Sequence, residues 1–246
     1  MREVHSGSGG RGEMKFEAYP KIGRYSRPSI ITEKIDGTNA QVLVDVTDDL
    51  ALWETEPLVT ISNWGPITGL TCGIWAGSRK QWIGLKNDNH GFANWVFEHA
   101  QELASRLGPG RHYGEWWGSG IQRGYGLPKG EKRFSLFNTI RWNPDMFRRF
   151  KVEPWLNIPM YPKKPPCPVW SPPPECCRVV PVIDVCRVLD EGTILANLHI
   201  LQAKGSYAAP GFMNPEGLVI YHTANGAIFK RTIEKDEEGK NDTDTV

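Results

Sequence analysis

The sequence predicts an α+β fold of antiparallel sheets flanked by helices, and three observations carry that reading. Short segments of alternating or β-rich character, bounded by glycine, asparagine and proline turns, recur along the chain. Helical periodicity is confined to two stretches, residues 91–107 and 191–204. Strands and helices do not alternate as a parallel βαβ sheet would require.

Each element follows in order. Residues 29–33, SIITE, read as a strand, followed by the turn Lys34-Ile35-Asp36-Gly37-Thr38, where glycine is expected to take a positive φ. In the strand at residues 39–46, Ala40, Val42, Val44 and Val46 share one face, against Gln41, Leu43 and Asp45. Residues 58–62 and 81–85 read as further strands. The helix at 91–107 sets Phe92, Trp95, Val96, Leu103 and Leu107 on one side, with Asp88 or Asn89 as cap and Gly108-Pro109-Gly110 as stop. Strands resume at 111–116 and 133–140. The second helix, 191–204, has Ile194, Leu195, Leu198 and Leu201 as its apolar side and ends at Gly205. Two last strands, 217–221 and 227–232, enclose a turn at Asn225-Gly226.

A chain of 246 residues is long enough to bury a core without disulfide staples. Its 29 basic and 28 acidic residues exclude a globally basic nucleic-acid coat and an acidic disordered chain, but leave room for a local basic groove. No apolar run approaches the ~20 residues of a membrane span, and the first residues carry no secretory signal. Residues 1–14 are expected to be disordered and 233–246 to form an acidic mobile tail, on either side of one domain at 15–232. Ten prolines between residues 154 and 181 mark an irregular insertion. Five cysteines, Cys72, Cys167, Cys176, Cys177 and Cys186, read as reduced thiols of a cytosolic protein; the adjacent Cys176-Cys177 is a poor zinc pair.

The chemistry concentrates in four places. Glu33-Lys34-Ile35-Asp36-Gly37-Thr38-Asn39 sets a lysine at the mouth of a strand–turn–strand, with a carboxylate and a glycine just beyond. Tyr113-Gly114-Glu115-Trp116-Trp117-Gly118 places a carboxylate among glycines and aromatics. Pro215-Glu216-Gly217-Leu218-Val219-Ile220 places another at the head of a strand, and Ile228-Phe229-Lys230-Arg231 adds a lysine fourteen residues after Glu216. In this order they resemble motifs I, III, IV and V of the covalent nucleotidyltransferases, the ATP-dependent RNA and DNA ligases and mRNA capping enzymes. Phe134 to Ile140 resembles motif IIIa, with Asn138 where an aspartate is usual, and Ile228 replaces the first of two motif-V lysines. The resemblance runs from about Tyr19 to Thr232, and the KxDGTN form of motif I is similar to that of nick-sealing RNA ligases of phage and bacterial type.

The resemblance implies a nucleotidyltransferase (ATP-grasp-like) domain without a C-terminal OB domain, acting as an ATP-dependent RNA ligase with Mg²⁺ or Mn²⁺. It implies a monomer in a bacterial cytosol or phage-infected host, with RNA rather than DNA ends as partner, 5′-phosphate and 3′-hydroxyl, and no membrane. Lys34 is then the nucleophile that carries AMP. A lysine near pKa 10.4 is almost wholly protonated at neutral pH, so burial or a nearby cation must activate it. Lys230 supplies charge at the α-phosphate, and Arg79 binds phosphate or ribose. Glu115 and Glu216 are the acids for a metal ion that keeps waters, and Glu115 also meets a ribose hydroxyl. Phe137 is the adenine platform with Phe134 as alternative. Strand alternation allows only one of them to face the nucleotide, the other being core. Asn39 positions an RNA end, and the loop of residues 118–126 offers Arg123 and Tyr125 as nucleic-acid contacts.

The basic stretch 129–151, with Trp142 and Phe147 interleaved, fits either a strand-binding surface or an ordinary solvated face. Two readings share the chemistry, a minimal DNA nick ligase or a capping-type guanylyltransferase. A third differs in class, a catalytically silent nucleic-acid-binding module. The intact set Lys34, Glu115, Glu216 and Lys230 argues against the third, since binding alone needs no nucleophile.

Overall fold

The computed structural model describes residues 18, 19, 22–64, 69–150 and 170–234. Its strands are β1 Ser29–Lys34, β2 Thr38–Thr47, β3 Val59–Ser62, β4 Thr71–Ser78, β5 Trp82–Ile83, β6 Gly110–Gly118, β7 Lys132–Leu136, β8 Cys177–Val179, β9 Val182–Cys186, β10 Gly217–His222 and β11 Ala227–Thr232. Its helices are α1 Phe92–Glu98, α2 Ala100–Leu107, α3 Thr139–Trp142, α4 Pro144–Phe150 and α5 Glu191–Lys204. One sheet runs β11-β10-β1-β9; the other runs β3-β4-β2-β6-β7-β8, with β5 added on β4. All pairs are antiparallel except β7 with β8, where the expected antiparallel pattern gives way to a parallel pair.

Two cores hold the sheets. Ala40, Val42 and Val44 point, as their alternation predicts, into a core closed by Phe92, Val96, Leu103 and Leu107 of α1 and α2. Under the smaller sheet, Ile31, Leu218 and Ile220 pack on Leu198 and Leu201 of α5. Helix 91–107 is broken at His99, the joint of α1 and α2, whose ring nitrogen Nδ1 lies 2.9 Å from Trp95 O. Asp88 caps α1, accepting from the amides of Ala93 and Asn94. Strand β7 stops at Leu136, because Asn138 caps α3 by accepting from Arg141 N at 3.1 Å. The end of the proline-rich stretch is ordered as β8; residues 154–169 of it, the N-terminal segment 1–14, Cys167 and residues 235–246 lie outside the described residues.

The chain crosses between the sheets twice among the described residues. Residues 35–37 link β1 to β2, and residues 180–181 link β8 to β9. The crossings lie side by side: Glu33 N donates to Pro181 O at 3.0 Å, and Ile35 and Val180 share a small core with Trp117 and Tyr125. The lysine turn is therefore no hairpin, as a strand–turn–strand would suggest, but a seam between two sheets. Gly37 serves it through space rather than positive φ: a Cβ there would lie 2.5 Å from Trp116 O and 2.8 Å from Trp117 Cβ.

Candidate active site

Pairing of β1 with β10 sets Lys34 opposite Gly217. Glu216, one residue earlier, thereby reaches the lysine, and Nζ stands 2.5 Å from Oε2 with the two side chains 25% and 17% exposed. On the opposite face of β1, Glu33 is buried at 1% exposure. Its carboxylate accepts from Ser206 Oγ at 2.6 Å, Tyr207 N at 2.8 Å and Ala208 N at 2.9 Å. Burial raises the Glu33 carboxyl above its ordinary range in spite of these three donors. Glu33 anchors the strand that ends in Lys34, a role its place in the motif does not announce.

Glu115 faces the same cluster from the larger sheet. Its register partners are Asn39 on β2 and Ser135 on β7, and Oε1 accepts from Gly37 N at 3.2 Å. Burial pushes its carboxyl up to about 7; Lys34 and the Gly37 amide pull it down, and the charges of Glu216 and Asp36 push it up further. Two carboxylates and one lysine thus share a partly desolvated spot.

Asp36 is tied to the loop after β6. Its Oδ2 accepts from Arg123 Nε at 3.0 Å, and its amide donates to the Tyr125 hydroxyl at 2.7 Å. Arg123 also donates to Asn214 O at 3.2 Å, just ahead of Glu216. Tyr125 is only 2% exposed, its ring against Trp117 at 5.0 Å and Phe212 at 4.7 Å. Tyr125 is therefore not placed to touch a nucleic acid, because its ring and hydroxyl are spent inside the protein. Arg123, likewise expected at the nucleic acid, spends its guanidinium holding the lysine turn against the residues before β10.

The remaining candidates surround this cluster. Phe134 is in the core, with its ring 5.1 Å from that of Phe92, while Phe137 is 38% exposed just past β7; of the two, Phe137 alone is accessible. Lys230 is exposed on β11 opposite Val219, itself opposite Thr32, so it shares a sheet face with Lys34. Arg231 turns to the other face and pairs with Glu191 of α5 at 3.3 Å. Asn39 is half-buried beside Glu115. Arg79 is exposed one residue beyond the Ala40–Ser78 pair, level with Asn39.

Three arginines of the basic stretch 129–151 have partners. Arg133 pairs with Glu131 at 2.5 Å and Arg148 with Asp145 at 3.2 Å. Arg141 donates to Leu107 O at 2.5 Å and lies over Trp142, while Trp142 and Phe147 are buried in the core rather than free to stack on bases. Cys72, Cys176, Cys177 and Cys186 are free thiols. No group of three or more His, Cys, Asp and Glu among the described residues is arranged to hold a metal ion. Glu115 and Glu216 do fit Mg²⁺ or Mn²⁺ arriving with phosphates, since Mg²⁺ takes one or two carboxylates and fills its shell with water and phosphate oxygens. No helix among the described residues is long and apolar enough to cross a membrane.

A protein-family model described as RNA ligase matches residues 27–232. No curated protein matches the chain. Solved structures of variants of the Naegleria gruberi RNA ligase are similar to it. One with ATP and Mn is 16% identical, TM-score 0.45, covering 84% of this chain and 50% of that one. Another, with AMP and Mn, is 15% identical, TM-score 0.46, covering 85% and 50%. A third, also with AMP and Mn, is 18% identical, TM-score 0.45, with the same coverage. The chain spans about half the length of these ligases.

Proposed function

The chain belongs to the RNA ligase family, and from that premise we propose that it joins RNA ends through AMP carried on Lys34. The observation that carries the reading is the Lys34–Glu216 contact at 2.5 Å, half-buried and beside Glu115. In the first step the Lys34 amine attacks the α-phosphorus of ATP. A P–N bond forms, the bond to the bridging β-oxygen breaks, and pyrophosphate leaves with the electron pair. The ammonium must first lose a proton, and Glu216 Oε2 is the acceptor in contact with it. In the second step a 5′-phosphate oxygen attacks the same phosphorus and the P–N bond breaks. In the third, a 3′-hydroxyl attacks the 5′-phosphorus, loses its proton and expels AMP.

The other residues act on charge and position. Lys230 shares the face of Lys34 and supplies a cation toward the α-phosphate. Phe137 offers its exposed ring to adenine. Arg79 and Asn39, level with each other, address phosphate or ribose and the RNA end. Glu115, besides meeting a ribose hydroxyl, would hold a divalent ion together with Glu216, which would neutralise phosphate charge as it develops. Arg123 and Tyr125 fix the turn that aims Lys34.

The test is incubation with α-labelled ATP, or GTP, followed by a denaturing gel. Label from ATP should remain on the wild-type chain, and Lys34→Ala should carry none. An adduct persisting in that variant refutes the assignment. Label from GTP alone would move the chain to capping chemistry, and nicked RNA against nicked DNA then reads the substrate.

A further inference from the structure

Away from Lys34, a cleft of about 750 Å³ opens between the smaller sheet and helices α3 and α4. Arg24, Arg27, Arg149 and Arg187 line it, and no lining residue is acidic. In a chain with 29 basic and 28 acidic residues, four arginines without one carboxylate are a strong local excess. All four are exposed, and no hydrogen bond or ion pair engages their side chains among the described residues. They come from three distant parts of the sequence, which is why no charge run announces them. Arg149 is the described member of the basic stretch 129–151 that lines this cleft, while Arg133, Arg141 and Arg148 of the same stretch have partners of their own.

The backbone beneath two of the arginines is pinned. Thr223 Oγ1 donates to Pro28 O at 2.7 Å, and the Tyr25 ring stacks on His222 at 6.2 Å. His222 Nε2 lies 3.2 Å from Tyr25 O, and the Tyr25 hydroxyl donates to Leu189 O. Segment 24–28 is thus fastened to the end of β10 with its guanidinium groups left over.

The cleft continues the face that bears Lys34. Tyr221 lines it and lies on that face, four residues along β10 from Gly217, roughly 13 Å at 3.3 Å per residue. On the opposite wall Ile140 follows Phe137 by three residues. Such a distance exceeds the Debye length of about 8 Å at physiological salt, so the four charges add little at the reacting phosphorus. Arginine forks match phosphate oxygens two at a time, and a strand offers a phosphate about every 3.4 Å of its axis.

We propose that this arginine cleft is a binding surface for the phosphate backbone of an RNA strand whose end lies at Lys34. The proposal rests on the reading of the chain as an RNA-joining enzyme and adds where the strand runs. It is a site of charge, not of base identity, since no donor–acceptor pattern for bases lines it.

The experiment is fluorescence anisotropy of a labelled, 5′-phosphorylated nicked RNA duplex with the full chain, in 50 to 200 mM KCl. The set comprises the fourfold alanine variant (R24A, R27A, R149A, R187A), the fourfold lysine variant and the single variant Arg149→Glu. Far-UV circular dichroism reports folding. The alanine set should weaken binding about tenfold or more and flatten the log K against log salt slope by about 3; the lysine set should keep most of the slope. Arg149→Glu should weaken binding about as much as two alanine substitutions. Unchanged affinity and slope in the folded alanine or Arg149→Glu variants overturns the proposal, and so does tighter binding of a glutamate-rich peptide of equal charge. Failure of the wild type to take label from ATP would strike the nucleotidyl-transfer reading alone, because the anisotropy needs no ATP.

Discussion

Around Lys34, the side chains of Lys34, Asp36, Glu115 and Glu216 each have a partner, while in the cleft beside Tyr221 four arginines have none among the described residues. The first arrangement holds each charge against a partner at the expense of desolvation. The second keeps its charges hydrated and its side chains loose, which suits a ligand met by charge and slid along. Removing one member of a half-buried pair strands the other; removing one exposed arginine only thins a field. The same residue chemistry therefore has different mutational signatures in the two places.

The largest test of the paired group is Glu33→Ala. It leaves Ser206 Oγ and the amides of Tyr207 and Ala208 without their acceptor in a buried place, and should cost about 3 kcal/mol by urea unfolding. A loss below about 1 kcal/mol would show that β1 needs no such anchor. Next, Glu216→Ala should slow transfer of labelled AMP to the chain by about 100-fold, with the folded fraction near wild type. Equal rates across Mg²⁺ concentrations would remove Glu216 from the chemistry. Lys230→Ala, exposed and without a partner among the described residues but on the face of Lys34, should slow the same step about tenfold; an unchanged rate places it outside the charge set.

The smallest effect is a matter of sign. Glu115 holds its proton in the folded chain up to about pH 7, whereas the unfolded chain releases it near 4.5. Between those values the folded state binds the extra proton, so this group's contribution to stability falls as pH rises through the window and is level above it. Glu115→Gln should erase that slope, so that its stability relative to wild type rises from pH 4 to pH 8, read from urea midpoints. An identical pH profile for the two proteins would mean that Glu115 is not desolvated.

Much of this was legible in the sequence where the signal is local. Alternation placed Ala40, Val42 and Val44 in the core, and the apolar side with its Gly205 stop bounded α5 at Glu191 and Lys204. The same alternation separated Phe134 from Phe137, although β7 ends sooner than expected. Strand β4 escaped because Gly73 and Gly77 interrupt its pattern; at Gly73 a Cβ would meet the Trp75 ring at 2.5 Å. Long-range register was the main gap. Nothing within the motif says that Lys34 pairs with Gly217 rather than folding back on residue 39. Nor do charge runs reveal their partners: Arg133, Arg141 and Arg148 look as available as Arg149 until Glu131, Leu107 O and Asp145 are in place.

The two side-by-side crossings, residues 35–37 and 180–181, give the molecule an axle. If one sheet rocks against the other, it turns about that line, with the Lys34 nitrogen close to it and Lys230, two strands out, far from it. Rotation would then sweep the outlying cation through ångströms while the amine hardly shifts.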